Sequence, residues 1–557
     1  MRKPKNRLVR TTARWLNCVL LLAACTACDT SPTSTSTSQR PETSEDLRLP
    51  AGSATDRPNI IFILTDDQRY DEVGFLNPVL ATPHMDALAR DGVHFANAFV
   101  TTSLCSPSRA SILTGQMMHN HGVVDNNRPL PQGLELFPAR LQKAGYQTAF
   151  FGKWHMGGEI SEPRPEFDHW VSFPGQGNYY PVSGFGRDSS LNVNGVNVEQ
   201  QGYITDELTD YALDFLENRD PTRPFLLYLS HKAVHAMFEP AERHVDQYAD
   251  AQISIGESPG PGADVPMWVL NQRNSWHGLE FPYHSDLPLA DFKRQYHRTL
   301  TAVDDSLGRV RAWVEAAGLA EDTVIFLMGD NGFLFGEHGL IDKRNAYEES
   351  MRVPLLALAP GRFPAGRVVE DIVANIDIAP TILELAGVTP SPQYDGMSFA
   401  HLASGEVDPE WRSELVYEYY WEFNYPQTPT VLALRTDRYK YIQYHGVWDT
   451  EELFDLRVDP TESHNLIESA DLVELKTDLR ARLYAALTDS AGRNQIPYSP
   501  KYNQGAVFRH PERSQAAEFP QKWLRTGEAE DRLEHVIPDG PEKAARLKLL
   551  NSVLNDR

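Results

Sequence analysis

Four short apolar runs of this chain end in side chains that bind ions or carry protons. Asn59–Leu64 (NIIFIL) runs into Asp66-Asp67, and Gln147–Phe151 (QTAFF) runs into Gly152-Lys153-Trp154-His155. Phe225–Leu229 (FLLYL) runs into Ser230-His231-Lys232, with His235 just beyond, and Thr323–Met328 (TVIFLM) runs into Gly329-Asp330-Asn331. One polar strand end is ordinary loop chemistry. Four that gather carboxylates, an amide, histidines and lysines in one neighbourhood are harder to dismiss.

A fifth stretch stands apart from these. In Leu104-Cys105-Ser106-Pro107-Ser108-Arg109, continuing to Leu113-Thr114-Gly115, Ser106 suits an N-cap, Pro107 a first helical position and Gly115 a stop. This reading puts Cys105 just ahead of a helix, where unpaired N–H groups and the dipole favour negative charge. It puts Arg109 in the first turn, where a cation is mildly unfavourable unless an anion is bound. On local grounds alone, an exposed arginine paired with a carboxylate explains Arg109 equally well. By the same standard Cys105 is a small buried hydrophobe.

The elements that must position these residues follow from periodicity. The runs above, with Val353–Leu358 (VPLLAL), are apolar on both faces, as strands of a parallel sheet covered by helices are. Helical patterns separate them over 85–91, 134–144, 205–218 and 292–317. The alternation predicts an α/β fold, and in an open parallel sheet the carboxyl ends share one edge, where ligands bind. After about Asp395 the texture changes: alternating, aromatic-rich sequence over 432–444 and a helical stretch over 472–487 predict a smaller α+β unit with an antiparallel sheet.

Composition sets outer limits. The 557 residues, 41% hydrophobic, suffice for one large domain and a smaller one. A net charge of −24 argues against a nucleic-acid backbone as partner. Residues 1–24 read as an export signal: a basic n-region, then an apolar core too short to span a bilayer. The signal ends in Leu22-Ala23-Ala24-Cys25, which resembles a bacterial lipobox and implies lipidation of Cys25; an ordinary signal peptide is the plainer alternative. Residues 25–56, rich in Ser, Thr and Pro, read as a disordered tether. The expected division continues with a catalytic domain over 57–394, a smaller unit over 395–490 and an extension over 491–557. The protein is expected to be exported and anchored by lipid to a bacterial, outer membrane, facing the periplasm or the cell surface. Three of the four cysteines fall in the signal or tether, so Cys105 is a lone thiol in an oxidising compartment.

Cys105-Ser106-Pro107-Ser108-Arg109, extended through Leu113-Thr114-Gly115, resembles the signature of type I sulfatases, of the alkaline phosphatase-like superfamily. Asp66-Asp67, Gly152-Lys153-Trp154-His155, His231-Lys232 with His235, Asp330-Asn331 and Lys343 in Asp342-Lys343-Arg344 join it in order, and Glu452-Leu453-Phe454-Asp455-Leu456 resembles the family's second domain. The resemblance implies that a maturation enzyme converts Cys105 to formylglycine (3-oxoalanine). It implies that Asp66, Asp67, Asp330 and Asn331, with the modified Cys105, bind one divalent cation. An all-oxygen ligand set favours Ca²⁺, with Mg²⁺ the alternative. His231 and His235 have a spacing that zinc sites use, but they lack the glutamate of an H-E-x-x-H motif. Arg109, Lys153, His155, His235 and Lys343 are implied around the sulfate, with Lys232 and His338 also binding substrate.

The implied mechanism is attack on sulfur by one hydroxyl of the hydrated aldehyde. The cationic groups stabilise the sulfuryl oxygens, His235 or Lys343 protonates the leaving alcohol, and collapse of the second hydroxyl, with His155 as helper, expels sulfate. The expected function is a sulfatase acting on a sulfated carbohydrate such as a glycosaminoglycan, a mucin glycan or an algal polysaccharide like ulvan. Trp154, Trp170, Tyr179, Tyr180, Trp268, Trp276, Tyr419, Tyr420 and Trp421 are candidate sugar-stacking rings, one or two of which are expected to serve. Two alternatives remain open: a formylglycine-dependent phosphodiesterase or phosphonate hydrolase, and a catalytically silent glycan-binding lipoprotein with Cys105 unmodified.

Overall fold

The computed structural model describes residues 57–182, 189–256, 265–272, 278, 287–445 and 450–491. Residues 1–56, on which the expected signal, the expected tether and Cys25 fall, Trp276 and residues 492–557 lie outside the described residues.

Among the described residues the main sheet has ten strands: β1 (Asn59–Thr65), β2 (Val93–Phe95), β3 (Gln147–Gly152), β4 (His169–Ser172), β5 (Ser190–Val193), β6 (Val196–Glu199), β7 (Phe225–Ser230), β8 (Thr323–Gly329), β9 (Leu355–Leu358) and β10 (Arg367–Val369). Their spatial order is β10-β2-β9-β8-β1-β7-β3-β4-β5-β6. The four runs that end in polar residues are the four central neighbours β8, β1, β7 and β3, all parallel. Their register pairs Thr65 with Gly329, Leu64 with Ser230, and Gly152 with Ser230. The strands therefore stop at one level, and Asp66, Lys153, His231 and Asp330 leave the sheet along one rim. One expectation needs correcting. Val353–Leu358 does not extend the parallel set: β9 runs antiparallel to both β8 and β2. A strand buried on both faces has the same apolar content in either direction, so composition carries no sign of polarity.

The longer helices are α1 (Pro83–Asp91), α2 (Cys105–Thr114), α3 (Phe137–Lys143), α4 (Ile204–Asn218), α5 (Leu289–Ala316), α6 (Ile378–Leu385) and α7 (Val473–Ala491). Alternation along the strands divides the core. Ile60, Phe62 and Leu64 pack with α2, α3 and α6, whereas Ile61 and Ile63 pack with α1, α4 and α5.

The second sheet is antiparallel: β11 (Glu414–Tyr419), β12 (Thr430–Thr436), β13 (Tyr439–His445) and β14 (Glu451–Asp455). The 432–444 segment is a hairpin of two strands turning at Asp437-Arg438. One face (Val431, Ala433, Ile442, Tyr444, Phe454) joins the main core, and the other (Leu432, Leu434, Tyr441, Leu453) is covered by Leu479, Leu483 and Leu487 of α7. No helix among the described residues is long and apolar enough to cross a membrane.

Candidate active site

The helix that presents Cys105 begins two residues earlier than the sequence suggested. Leu104, in extended conformation, takes the N-cap position and Cys105 is the first helical residue. Ser106 does not cap; its Oγ donates to the His155 carbonyl at 2.5 Å. Arg109 accordingly opens the second turn. Gly115 ends the helix at φ 63°, as expected, with its N–H on the Ser111 carbonyl.

Arg109 is buried, and carboxylates surround it. Its Nε and Nη2 each lie 2.8 Å from Asp330 Oδ2, and Nη2 lies 3.3 Å from Asp66 Oδ2. Nη1 donates to the Lys153 carbonyl at 2.6 Å and to Ser230 Oγ at 2.7 Å. This one side chain ties α2 to the ends of β1, β3, β7 and β8. Asp66 also receives the Lys153 ammonium and approaches Cys105 Sγ at 3.5 Å. Asp67 receives the Lys343 ammonium, accepts Asn331 Nδ2 at 2.7 Å, and donates its backbone N–H to Asp330 Oδ1 at 3.0 Å. His235 Nε2 stands 3.9 Å from Asp67 Oδ2. The structure thus brings Asp66, Asp67, Cys105, Arg109, Lys153, His155, His235, Asp330, Asn331 and Lys343 together.

The electrostatics follow from burial among charges. Burial opposes ionisation of Asp66, yet Lys153 and Arg109 hold it well below the usual carboxylate range. Burial pushes Asp67 up to about 7, with Lys343 resisting and Asp66 and Asp330 adding to the rise. Burial and Lys153 depress both His155 and His235, so both rings are neutral. Burial, then Asp66, pushes the Cys105 thiol up to about 12. An unmodified Cys105 stays protonated and is a poor nucleophile.

The donor set fits a hard divalent cation. Carboxylate oxygens of Asp66, Asp67 and Asp330 converge within 4.8 Å of one another. Asp67 Oδ2 and Asn331 Oδ1 are buried with no hydrogen-bond donor among the described residues. Buried oxygens left without donors are costly, and an ion held by oxygen ligands would satisfy them. Three carboxylates against Arg109, Lys153 and Lys343 sum to zero, so a divalent cation there would leave the positive charge an anionic substrate needs.

Two expected residues lie elsewhere. His231 turns away to Ser306 of α5, with its Nε2 3.2 Å from Oγ, and burial lowers it to about 4. It shares no candidate ion-binding group with His235 among the described residues. His338 stacks on Tyr347 with centroids 3.7 Å apart, its Nε2 3.5 Å from Glu349 Oε2. It belongs to the packing between the two sheets rather than to the substrate site. Lys232 sits at the edge of the cluster, over the Tyr179 ring at 4.5 Å. Sequence reasoning missed Ser106, Ser230 and Tyr296, whose hydroxyl donates to the Asp67 carbonyl at 3.0 Å. Ser230 was visible as the last residue of its strand; Tyr296, in the first third of a long helix, carried no local signal.

Comparisons with known proteins agree with this geometry. The Sulfatase family model matches residues 58–388, and the model for the C-terminal region of N-sulphoglucosamine sulphohydrolase matches 336–489. The chain is 32% identical to an N-acetylglucosamine-6-O-sulfatase of Bacteroides thetaiotaomicron, over 77% of this chain and 86% of that one. It is 32% identical to human N-acetylglucosamine-6-sulfatase, over 69% of this chain and 71% of that one. A solved structure of a protein in complex with its substrate D-glucosamine-2-N,6-O-disulfate superposes with a TM-score of 0.72 at 30% identity, covering 80% of this chain and all of that one.

Proposed function

This chain belongs to the sulfatase family and is a sulfuric ester hydrolase, and we propose that it removes the 6-O-sulfate from glucosamine-type sugars of a sulfated glycan, using Cys105 matured to formylglycine. The observation that carries the reading is Cys105 at the start of α2, 3.5 Å from Asp66 within a ring of Arg109, Lys153 and Lys343. The choice of sugar rests on the N-acetylglucosamine-6-sulfatases among the relatives and on the sugar bound by the structural neighbour.

Formylglycine supplies a hydrated aldehyde whose two hydroxyls serve as nucleophile and as the means of expelling sulfate. Asp66, Asp67, Asp330 and Asn331 would hold a divalent cation, Ca²⁺ by their oxygen chemistry, which when bound polarises the sulfuryl oxygens. Arg109, Lys153 and Lys343 meet the charge that builds on those oxygens. His235 Nδ1 is 2.6 Å from the Ala236 carbonyl, an acceptor only, so that nitrogen holds the ring proton and Nε2 faces the site as a base. Lys343, which Asp67 keeps protonated well above the usual lysine range despite burial, is the better donor to the leaving alcohol. Neutral His155 can accept the proton released when sulfate departs. Export with lipidation at Cys25 is proposed as the route to the glycan.

Two measurements test the reading. Mass spectrometry of the tryptic peptide spanning residues 91–109 should show the lower mass of the aldehyde in place of the thiol. Cys105→Ala should abolish sulfate release from N-acetylglucosamine 6-sulfate while the circular dichroism spectrum is retained. An intact thiol in active enzyme, or faster turnover of a phosphodiester than of a sulfate ester, would overturn it.

A further inference from the structure

Most aromatic side chains that the sequence offered for sugar stacking are consumed by the core. Trp154 and Trp170 pack on Phe150 at 5.5 and 4.7 Å, and Tyr179, Trp268, Tyr419 and Tyr420 are buried. Among the described residues only three aromatic rings of Phe, Tyr or Trp are exposed: Phe75, Trp421 and Phe423. Two of the three fall within one three-residue stretch, between β11 and β12.

That stretch is fastened to the catalytic cluster from inside. Glu422, between the two exposed rings, accepts Arg344 Nε at 2.7 Å and the Tyr419 hydroxyl at 2.8 Å. Tyr425, half-buried on the same loop, lies over the Arg344 guanidinium at 3.8 Å. Arg344 directly follows Lys343, whose ammonium is on Asp67. The indole of Trp421 is held although it faces water: Nε1 donates to the Pro426 carbonyl at 3.2 Å, and its backbone N–H to Thr430 Oγ1 at 3.0 Å. The residues, two apart in sequence, are 45% and 74% exposed, and exposed apolar groups that cluster mark interaction sites where single ones do not.

From this arrangement we infer that Trp421 and Phe423 form a stacking surface for a sugar ring beyond the sulfated one, so that the substrate is an oligosaccharide rather than a single sugar. The inference rests on the carbohydrate sulfatase reading and adds the length of the substrate to it. The apolar face of a pyranose packs on an aromatic ring without needing charge, and a ring already fixed in place loses little entropy on binding. Sulfate and cation chemistry stay with the buried cluster. Arg344, through Glu422 and Tyr425, links the loop that carries the two rings to the neighbouring Lys343 of the buried cluster.

The test compares two substrates that share one sulfated unit: N-acetylglucosamine 6-sulfate, and a tetrasaccharide bearing that unit at its non-reducing end. Wild-type enzyme is expected to favour the tetrasaccharide in kcat/KM by about tenfold or more, in line with the weight of one well-packed aromatic contact. Trp421→Ala and Phe423→Ala should lower kcat/KM for the tetrasaccharide about tenfold more than for the monosaccharide, and Trp421→Phe should recover most of the difference. Both sites are on the surface, so melting temperatures are expected to stay close to wild type. Equal losses on the two substrates, no loss on either, or no wild-type preference for the longer one would overturn the inference and leave the sulfatase reading standing. Failure of wild type to release sulfate from both would overturn the two together.

Discussion

Asp67 and Asn331 each leave a side-chain oxygen without a donor among the described residues, and Arg109 spends its guanidinium on two carboxylates, a carbonyl and a hydroxyl. Both facts belong to single residues, and neither is settled by residue type. An arginine at position 109 is equally compatible with an exposed ion pair; burial among Asp66 and Asp330 makes it the brace between α2 and the sheet rim. The unsatisfied oxygens lead to a prediction about ions. A ligand that binds only the folded state raises stability by mass action. Wild-type protein is therefore expected to melt about 5 °C or more higher in excess Ca²⁺ than after chelation. Asp67→Asn or Asp330→Asn should shrink that difference, as read by differential scanning fluorimetry. An ion-dependent shift of the same size in both variants would place the cation elsewhere.

At the level of elements, the ends of β3 and β7 meet more closely than side chains allow. Gly152 has φ 125°, and a Cβ built there would stand 1.7 Å from the Ser230 carbonyl oxygen. The glycine lets the chain turn off the sheet so that Lys153 donates its N–H to that same carbonyl at 2.8 Å and its ammonium reaches Asp66. Gly152→Ala is expected to cost roughly 3 kcal/mol of stability, since both the backbone angle and the space are denied. Urea unfolding measures it; a loss below about 1 kcal/mol would show that the strand end can yield. The same element explains a limit of the sequence reading. The glycine before Lys153 was visible in the sequence, but its contact lies in a strand 78 residues away in the chain.

Across the whole molecule, the two sheets are joined by buried charge. Lys440 of β13 donates to the Ala346 carbonyl at 2.8 Å and pairs with Glu348 and Glu462 at 2.8 and 2.7 Å. Glu452 of β14 accepts the hydroxyls of Tyr347 and Tyr444. Burial pushes Glu452 up to about 7, its bond to Tyr444 resisting, against an ordinary value of 4.5. A carboxyl whose folded pKa is raised contributes stability below the unfolded value, and this is lost as pH rises through about 7. Glu452→Gln cannot ionise, so its melting temperature relative to wild type should climb between pH 5 and pH 8; a constant difference would show that Glu452 does not titrate in that window.

At this scale the sequence and the fold divide the work. The sequence by itself determined the parallel central strands, the second antiparallel sheet, the lone thiol at a helix start and ten residues that meet at one rim, because apolar periodicity and short motifs are local properties. Only the tertiary structure decided that His231 and His338 serve packing, that β9 runs antiparallel, and that Trp421 is the exposed ring of the candidate aromatics among the described residues. Histidines, the direction of β9 and aromatic rings acquire their roles from what lies across the molecule, and residue type and spacing carry no record of those neighbours.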